Sequence, residues 1–125
     1  MTSLTRIISS SCVAAGIAAL AIAPAGSAAA ATKCSVKGKE QKLGTTYVTT
    51  LKVTGVSCAT GESVVKAFHA CRHKKGVAGR CATKVKGYSC TEKRPAALKG
   101  PVSYDGDVTC KRGTKRVVFH YQQNT

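Results

Sequence analysis

The chain has 125 residues, with 20 Lys plus Arg against 5 Asp plus Glu, seven Cys, two Phe and no Trp. So short a chain has no room for two domains after a leader, and its few large aromatic residues cannot build a thick apolar core. A formal charge of +15 points to anionic partners.

Residues 1–31 stand apart. Arg6 is their one charge, an apolar run extends from Ile7 to Ile22, and overlapping small-x-small triplets offer cleavage after Ala28, Ala29, Ala30 or Ala31. This is the pattern of a secretory signal peptide. Lys33 directly before Cys34 does not suit a lipoprotein anchor, so a soluble, secreted product is expected. Removing the leader takes Cys12 and Arg6 with it, leaving six cysteines and one charge fewer than +15. An even cysteine count in an exported chain of under ~100 residues reads as a disulfide framework. No Cys-x-x-Cys or Cys/His ligand spacing competes for these thiols, and no metal or other cofactor is expected. Crosslinks worth about 2–4 kcal/mol each would offset the thin core and the self-repulsion of the basic surface.

In chain order, residues 32–44 are Lys-rich, with Cys34 as their anchor, and read as a basic N-terminal arm or edge strand. Over residues 45–56, Tyr47, Thr49, Leu51 and Val53 alternate with Val48, Thr50, Lys52 and Thr54, as in a strand with one buried face. A helix is expected from Ser57 to Cys71. Ser57, Thr60 and Ser63 supply N-cap hydroxyls, and Glu62 suits an early turn. Val64, Phe68 and Cys71 make its apolar face beside Val65, which turns Lys66 and His69 outward, and Gly76 and Gly79 end it.

A basic, glycine-containing loop separates Cys71 from Cys81. Val85, Tyr88 and Cys90 mark a short strand within residues 84–91, and residues 92–101, with two prolines, read as an exposed connection. Asp105-Gly106 predicts a hairpin turn between residues 102–104 and 108–110. A second turn falls at residues 111–114, and Val117, Phe119 and Tyr121 then share one face of the last strand. The sum is an α+β domain over residues 45–125: an antiparallel sheet of four to five strands with one packed helix, stapled by disulfides among Cys34, Cys58, Cys71, Cys81, Cys90 and Cys110. About 15 pairings are open. Cys58 with Cys71, or Cys71 with Cys81, would close a local loop, and Cys90 with Cys110 would join neighbouring strands.

The predicted strand, Val56-Ser57-Cys58-Ala59-Thr60, the helix, Gly87-Tyr88-Ser89-Cys90, Val108-Thr109-Cys110-Lys111-Arg112-Gly113 and Val117-Val118-Phe119 together resemble a loose group of small exported proteins from high-GC Gram-positive bacteria. The resemblance covers residues 45–121. It implies export and fold, and it carries no functional residue. The cysteine order is also similar to that of the subtilisin-inhibitor family of exported protease inhibitors. That resemblance implies bridges Cys58–Cys71, Cys90–Cys110 and Cys34–Cys81, and an inhibitory loop at Thr91, Glu92, Lys93 and Arg94 before Pro95. The cysteine spacings depart from that family's, and the scissile bond would fall at Glu92 or Lys93.

The histidines are His69, His73 and His120. His120 with His69 or His73, plus Lys66 or Lys111, could supply the acid, base and cation that a small secreted ribonuclease needs. The plainer expectation is that His69 and His73 face solvent at the helix end and that His120 alternates out of the core beside Phe119. No ribonuclease motif, Glu/His/Arg constellation or nucleophile elbow stands in the sequence, and no catalytic residue is assigned. Cations cluster at residues 33–42, 72–80 and 111–116. Lys37, Lys39, Arg72, Lys74, Lys75, Arg80, Lys111, Arg112, Lys115 and Arg116 are the expected anion-binding patch, for cell-wall polymer, acidic lipid or nucleic acid. Four Tyr without an aromatic run among the cations make no base-reading surface. The sequence thus predicts a secreted, non-enzymatic cationic binding protein of the envelope or extracellular space. A serine-protease inhibitor and a small ribonuclease are the alternatives, and a basic surface that only keeps the protein soluble is the plainest reading.

Overall fold

In the computed structural model, residues 26–44, 47–95 and 103–124 are described. The expected leader lies outside these residues except for 26–31, an exposed run without regular structure, and so does the 96–102 part of the expected connection. Five strands and one helix follow in chain order: β1 (Thr32–Cys34), β2 (Tyr47–Thr54), α1 (Cys58–His73), β3 (Ser89–Lys93), β4 (Ser103–Arg112) and β5 (Lys115–Asn124). The strands make one antiparallel sheet in the order β1-β2-β5-β4-β3. The expected α+β fold is therefore the observed one.

α1 packs on one face of that sheet. Val64, Val65 and Phe68 meet Val48, Leu51 and Val53 of β2 and Val117, Phe119 and Tyr121 of β5, all at most 1% exposed. Each such side chain contributes about 1.5–3 kcal/mol by leaving water. Leu43, just before β2, is equally buried and anchors the basic arm that the sequence reading ties down by Cys34 alone. Among the described residues, no helix packs on the opposite face of the sheet, and residues 26–29 and 31 share a groove with Thr54, Gly55, Thr114 and Arg116.

Ser57 caps α1, its Oγ accepting from the Thr60 backbone N–H at 3.1 Å. Glu62 sits beyond the first turn and accepts from Lys39 Nζ at 2.8 Å instead. The inward stripe is Gly61, Val64, Val65, Phe68, His69 and Arg72, which is the i, i+3, i+4, i+7 spacing extended by one turn. His69 therefore faces the core, contrary to the expectation that it points outward.

Three strand expectations change. A bulge between Val48 and Thr50 inserts Thr49, so Val48 joins Leu51 and Val53 inside while Tyr47 turns out. Asp105-Gly106 is not a turn: β4 runs through it, and Gly106 lies opposite Tyr121, whose ring occupies the space a Cβ would need. The second turn, expected within residues 111–114, is present at Gly113-Thr114, where Gly113 has φ +58°, and it joins β4 to β5. β3 begins at Ser89, because Val85 and Tyr88 close a tight bridge across Lys86 and Gly87, both at positive φ. Thr91 is in a strand as expected, and Glu92 and Lys93 become strand residues rather than part of an exposed connection.

Three disulfides staple the fold: Cys34–Cys58, Cys71–Cys81 and Cys90–Cys110. The first ties the edge strand to the helix start, the second closes the loop after the helix, and the third joins residues directly opposite in register. Cys58–Cys71 and Cys34–Cys81, the pairings implied by the inhibitor resemblance, are not formed. Cys58 and Cys71 lie near opposite ends of one helix, roughly 20 Å apart at ~1.5 Å per residue, well beyond the ~7 Å that a disulfide spans between Cα atoms.

Candidate anion-binding surface

Strand alternation sorts the charged residues by face. Cys34, Leu51, Val53, Glu92, Cys110 and Val117 point to the helix side, so Lys33, Lys52, Lys93, Lys111 and Arg116 point to the uncovered side, all exposed. Every strand contributes one cation. Lys33 stands directly opposite Lys52, and Lys111 directly opposite Arg116. On the helix side of the same hairpin, Arg112 opposes Lys115. Opposed like charges destabilise a sheet by about 0.2–1 kcal/mol per pair. Among the described residues, no carboxylate makes an ion pair with any of these seven cations, although Asp107 stands opposite Lys93 in register.

Thr50, Thr109 and Val118 fill the face between the cations, and Tyr47, 40% exposed, is its only large aromatic residue among those described. Towards the far end, His120 Nδ1 lies 2.8 Å from Asp107 Oδ1, and its Nε2 lies 4.0 Å from Asp105 Oδ2. This acidic end bounds the cationic band. The surface offers fixed positive charge and hydroxyls, with little apolar or stacking area.

The ten residues of the expected patch do not come together. Lys111, Arg112, Lys115 and Arg116 gather at the β4–β5 hairpin. Lys74, Lys75 and Arg80 follow the opposite end of α1, and Lys37 and Lys39 lie in the turns after β1. Lys39 pairs with Glu62, and Arg80 with Glu92. Arg72 is not on the surface at all: it is 0% exposed, at the end of the inward helix stripe. Its Nε donates to His69 Nδ1 at 2.9 Å, its Nη1 to the Val77 carbonyl at 2.7 Å and to Tyr104 Oη at 2.8 Å, and its Nη2 to Gln123 Oε1. The guanidinium also sits 4.8 Å over the Tyr121 ring.

The bond from Arg72 places the His69 proton on Nε2, which is buried and has no hydrogen-bond partner among the described residues. Burial, and then the positive charge of Arg72 and of His73, hold the His69 pKa down to about 3. Its ring meets Phe68, Phe119 and Tyr121 edge-on, as a core side chain. His73 is also lowered, by burial and by Arg72. His120 is on the other side of the sheet from both, so the three histidines do not converge on one phosphodiester.

The expected inhibitory loop is likewise turned to structural work. Glu92 faces the helix side, with its side chain 6% exposed, and accepts from Tyr121 Oη, from Arg94 Nε at 2.9 Å and from Arg80 Nη1 at 3.4 Å. Burial and this bond to Glu92 raise the Tyr121 pKa. Arg94 donates onward to the Ala78 and Gly79 carbonyls at 2.8 and 2.7 Å. The fold thus links Glu92, Arg94, Arg72 and His73 through Tyr121 and Gln123, a Glu/His/Arg grouping that linear order conceals. Both guanidinium groups are engaged by loop carbonyls, and the cluster fastens the segment closed by Cys71–Cys81.

Lys33, Lys52 and Lys93 are surface cations that the expected ten-residue patch leaves out. The available signal is position: Lys52 sits between Leu51 and Val53, which forces it outward once those two are inside. Among the described residues no group of three His, Cys, Asp or Glu is placed to hold a metal ion, and no helix is long and apolar enough to cross a membrane. Comparison with protein-family models, curated proteins and solved structures finds no match to this chain.

Proposed function

We propose that this protein is a secreted, non-enzymatic binder of linear anionic polymers, engaged through the uncovered face of its sheet. The observation that carries the reading is two pairs of opposed like charges, Lys33 with Lys52 and Lys111 with Arg116, none of them in an ion pair among the described residues, while the acids of that face, Asp105 and Asp107, lie towards its other end. That arrangement is unfavourable alone and is relieved by an anion lying across the strands. Little apolar area favours a polymer over insertion into lipid, and a single Tyr at the margin favours a charged backbone over stacked bases. The three disulfides and the expected leader support an extracellular setting.

Counterion release provides the test. Four cations on a flexible polyanion give a log–log salt slope of about −3, or roughly a 50-fold loss of affinity between about 50 and 200 mM salt. Calorimetric titration of the full chain with linear polyphosphate should show this slope, and the double variant Lys52→Gln, Arg116→Gln should make it shallower by about 1.4. Salt-independent binding, or full affinity in the double variant, refutes the proposal.

A further inference from the structure

Behind the hairpin, on the helix side of the sheet, a groove of about 420 Å3 separates the start of α1 from the Val85–Tyr88 bridge. Thr60, Ser63 and Val64 line it from the helix, and Lys86, Tyr88 and Arg112 close it from the other side. Two cations therefore face two hydroxyl-bearing residues, and neither cation pairs with a carboxylate among the described residues.

The groove is built rather than incidental. Arg112 Nη1 donates to the Lys86 carbonyl at 3.2 Å, and its guanidinium lies 4.9 Å over the Tyr88 ring. Gly87 makes this approach possible: it has φ +79°, and a Cβ there would come within 3.2 Å of Arg112 Cδ. One face and one donor of the guanidinium are thus fixed before any ligand arrives. Tyr88 itself is 1% exposed, so its ring is a fixed wall beneath the guanidinium, and its buried hydroxyl has no hydrogen-bond partner among the described residues. The adjoining first turn of α1 adds the positive end of the helix dipole.

We infer that this groove is a second, separate site that takes one phosphate or sulfate ester on a small polar body, with Lys86 and Arg112 on the oxyanion and Thr60 and Ser63 beside it. The volume falls in the ordinary range for small ligands, roughly 300–1,000 Å3, and exceeds what a bare oxyanion fills. Since it opens on the helix side, the site does not rest on the sheet-face reading.

The test is a titration of the isotope-labelled full chain with glycerol 3-phosphate, followed by amide NMR at constant ionic strength, with inorganic phosphate and glycerol in parallel. Saturable shifts at Thr60, Ser63, Lys86, Gly87 and Arg112 are expected, with none from glycerol. Lys86→Gln, which removes no packing contact described above, should weaken binding by about tenfold, the loss of one charge-assisted contact. Arg112→Gln should do so at least as strongly, and Lys52→Gln on the other face should change nothing. Saturation by inorganic phosphate with no gain from the glycerol body supports an oxyanion site and assigns it to the free ion. Shifts that grow linearly over all basic segments, or affinity unchanged in Lys86→Gln, overturn the inference. Either of those results leaves polymer binding on the sheet face to be decided by its own variants.

Discussion

Acid should loosen this protein through one core histidine. In the unfolded chain His69 takes a proton near 6.5, whereas in the folded chain it resists until about 3. Between those values the unfolded state binds more protons. Stability is therefore fully present above the unfolded pKa and falls as the pH falls towards the folded one. The slope approaches about 1.4 kcal/mol per pH unit for one proton once the unfolded histidine is fully protonated, so lowering the pH from about 6.5 to 4.5 should cost about 2.3 kcal/mol. The groups in contact with the imidazole explain the direction. Arg72 and His73 on α1 are cationic or become so, and Tyr121 and Phe119 on β5 offer no negative charge. His73, itself lowered, adds in the same sense. Urea unfolding with the disulfides intact, repeated in half-unit pH steps, measures the slope. His69→Gln keeps an acceptor for Arg72 but cannot titrate, and should flatten it. Constant stability across that window, or a His69 imidazole signal that titrates near 6.5 in the folded protein, would refute the assignment of His69 to the dry core.

Further outcomes follow from the same contacts. Gly106→Ala drives a methyl group into the Tyr121 ring and should cost about 1–3 kcal/mol in thermal unfolding, whereas Gly113→Ala meets no neighbour and should cost only the roughly 1–2 kcal/mol of its left-handed backbone. Opening Cys34–Cys58, with a sequence separation of 24, should lower stability by about 3.5 kcal/mol, against about 2.8 kcal/mol for Cys71–Cys81 with its separation of 10. Peptide mapping of the oxidised chain should recover both bridges and no Cys58–Cys71 peptide. Lys111→Glu, facing Arg116, should raise stability by about 0.5 kcal/mol while weakening polyphosphate binding; a variant that gains both or loses both contradicts the sheet-face proposal.

Local pattern was enough for the helix and the last strand, because a hydroxyl before a 3.6-residue stripe and alternating Val, Phe and Tyr each need only near neighbours to be read. Other features depend on partners distant in the chain. Asp105-Gly106 has the composition of a turn, yet Gly106 is there for the ring of Tyr121, fifteen positions away. Arg72 looks like one of a run of surface cations until Tyr104, Val77 and Gln123 converge on it. The sheet-face cations were legible singly, by alternation, but their opposition was not: Lys33 meets Lys52, and Lys111 meets Arg116, only through the strand register.

Where the few acids go separates a functional surface from one that merely keeps the protein soluble. Of the five Asp and Glu, Glu62 holds Lys39, Glu92 holds Arg80 and Arg94, and Asp105 and Asp107 flank His120. Glu40 lies in the turns after β1, and Asp105 and Asp107 are on β4 but away from its turn, so none of the five stands at the turn end of the β4–β5 hairpin, where Lys111, Arg112, Lys115 and Arg116 crowd within six residues. Solubility depends on net charge and is indifferent to which cations an acid neutralises. Folding stability is not indifferent, and it would gain most from a carboxylate at the hairpin, where like charges are directly opposed. A chain shaped only for solubility and stability would place one there. Concentrating unrelieved charge at the hairpin, with the sheet face on one side and the Lys86–Arg112 groove on the other, is what anion binding from both sides requires.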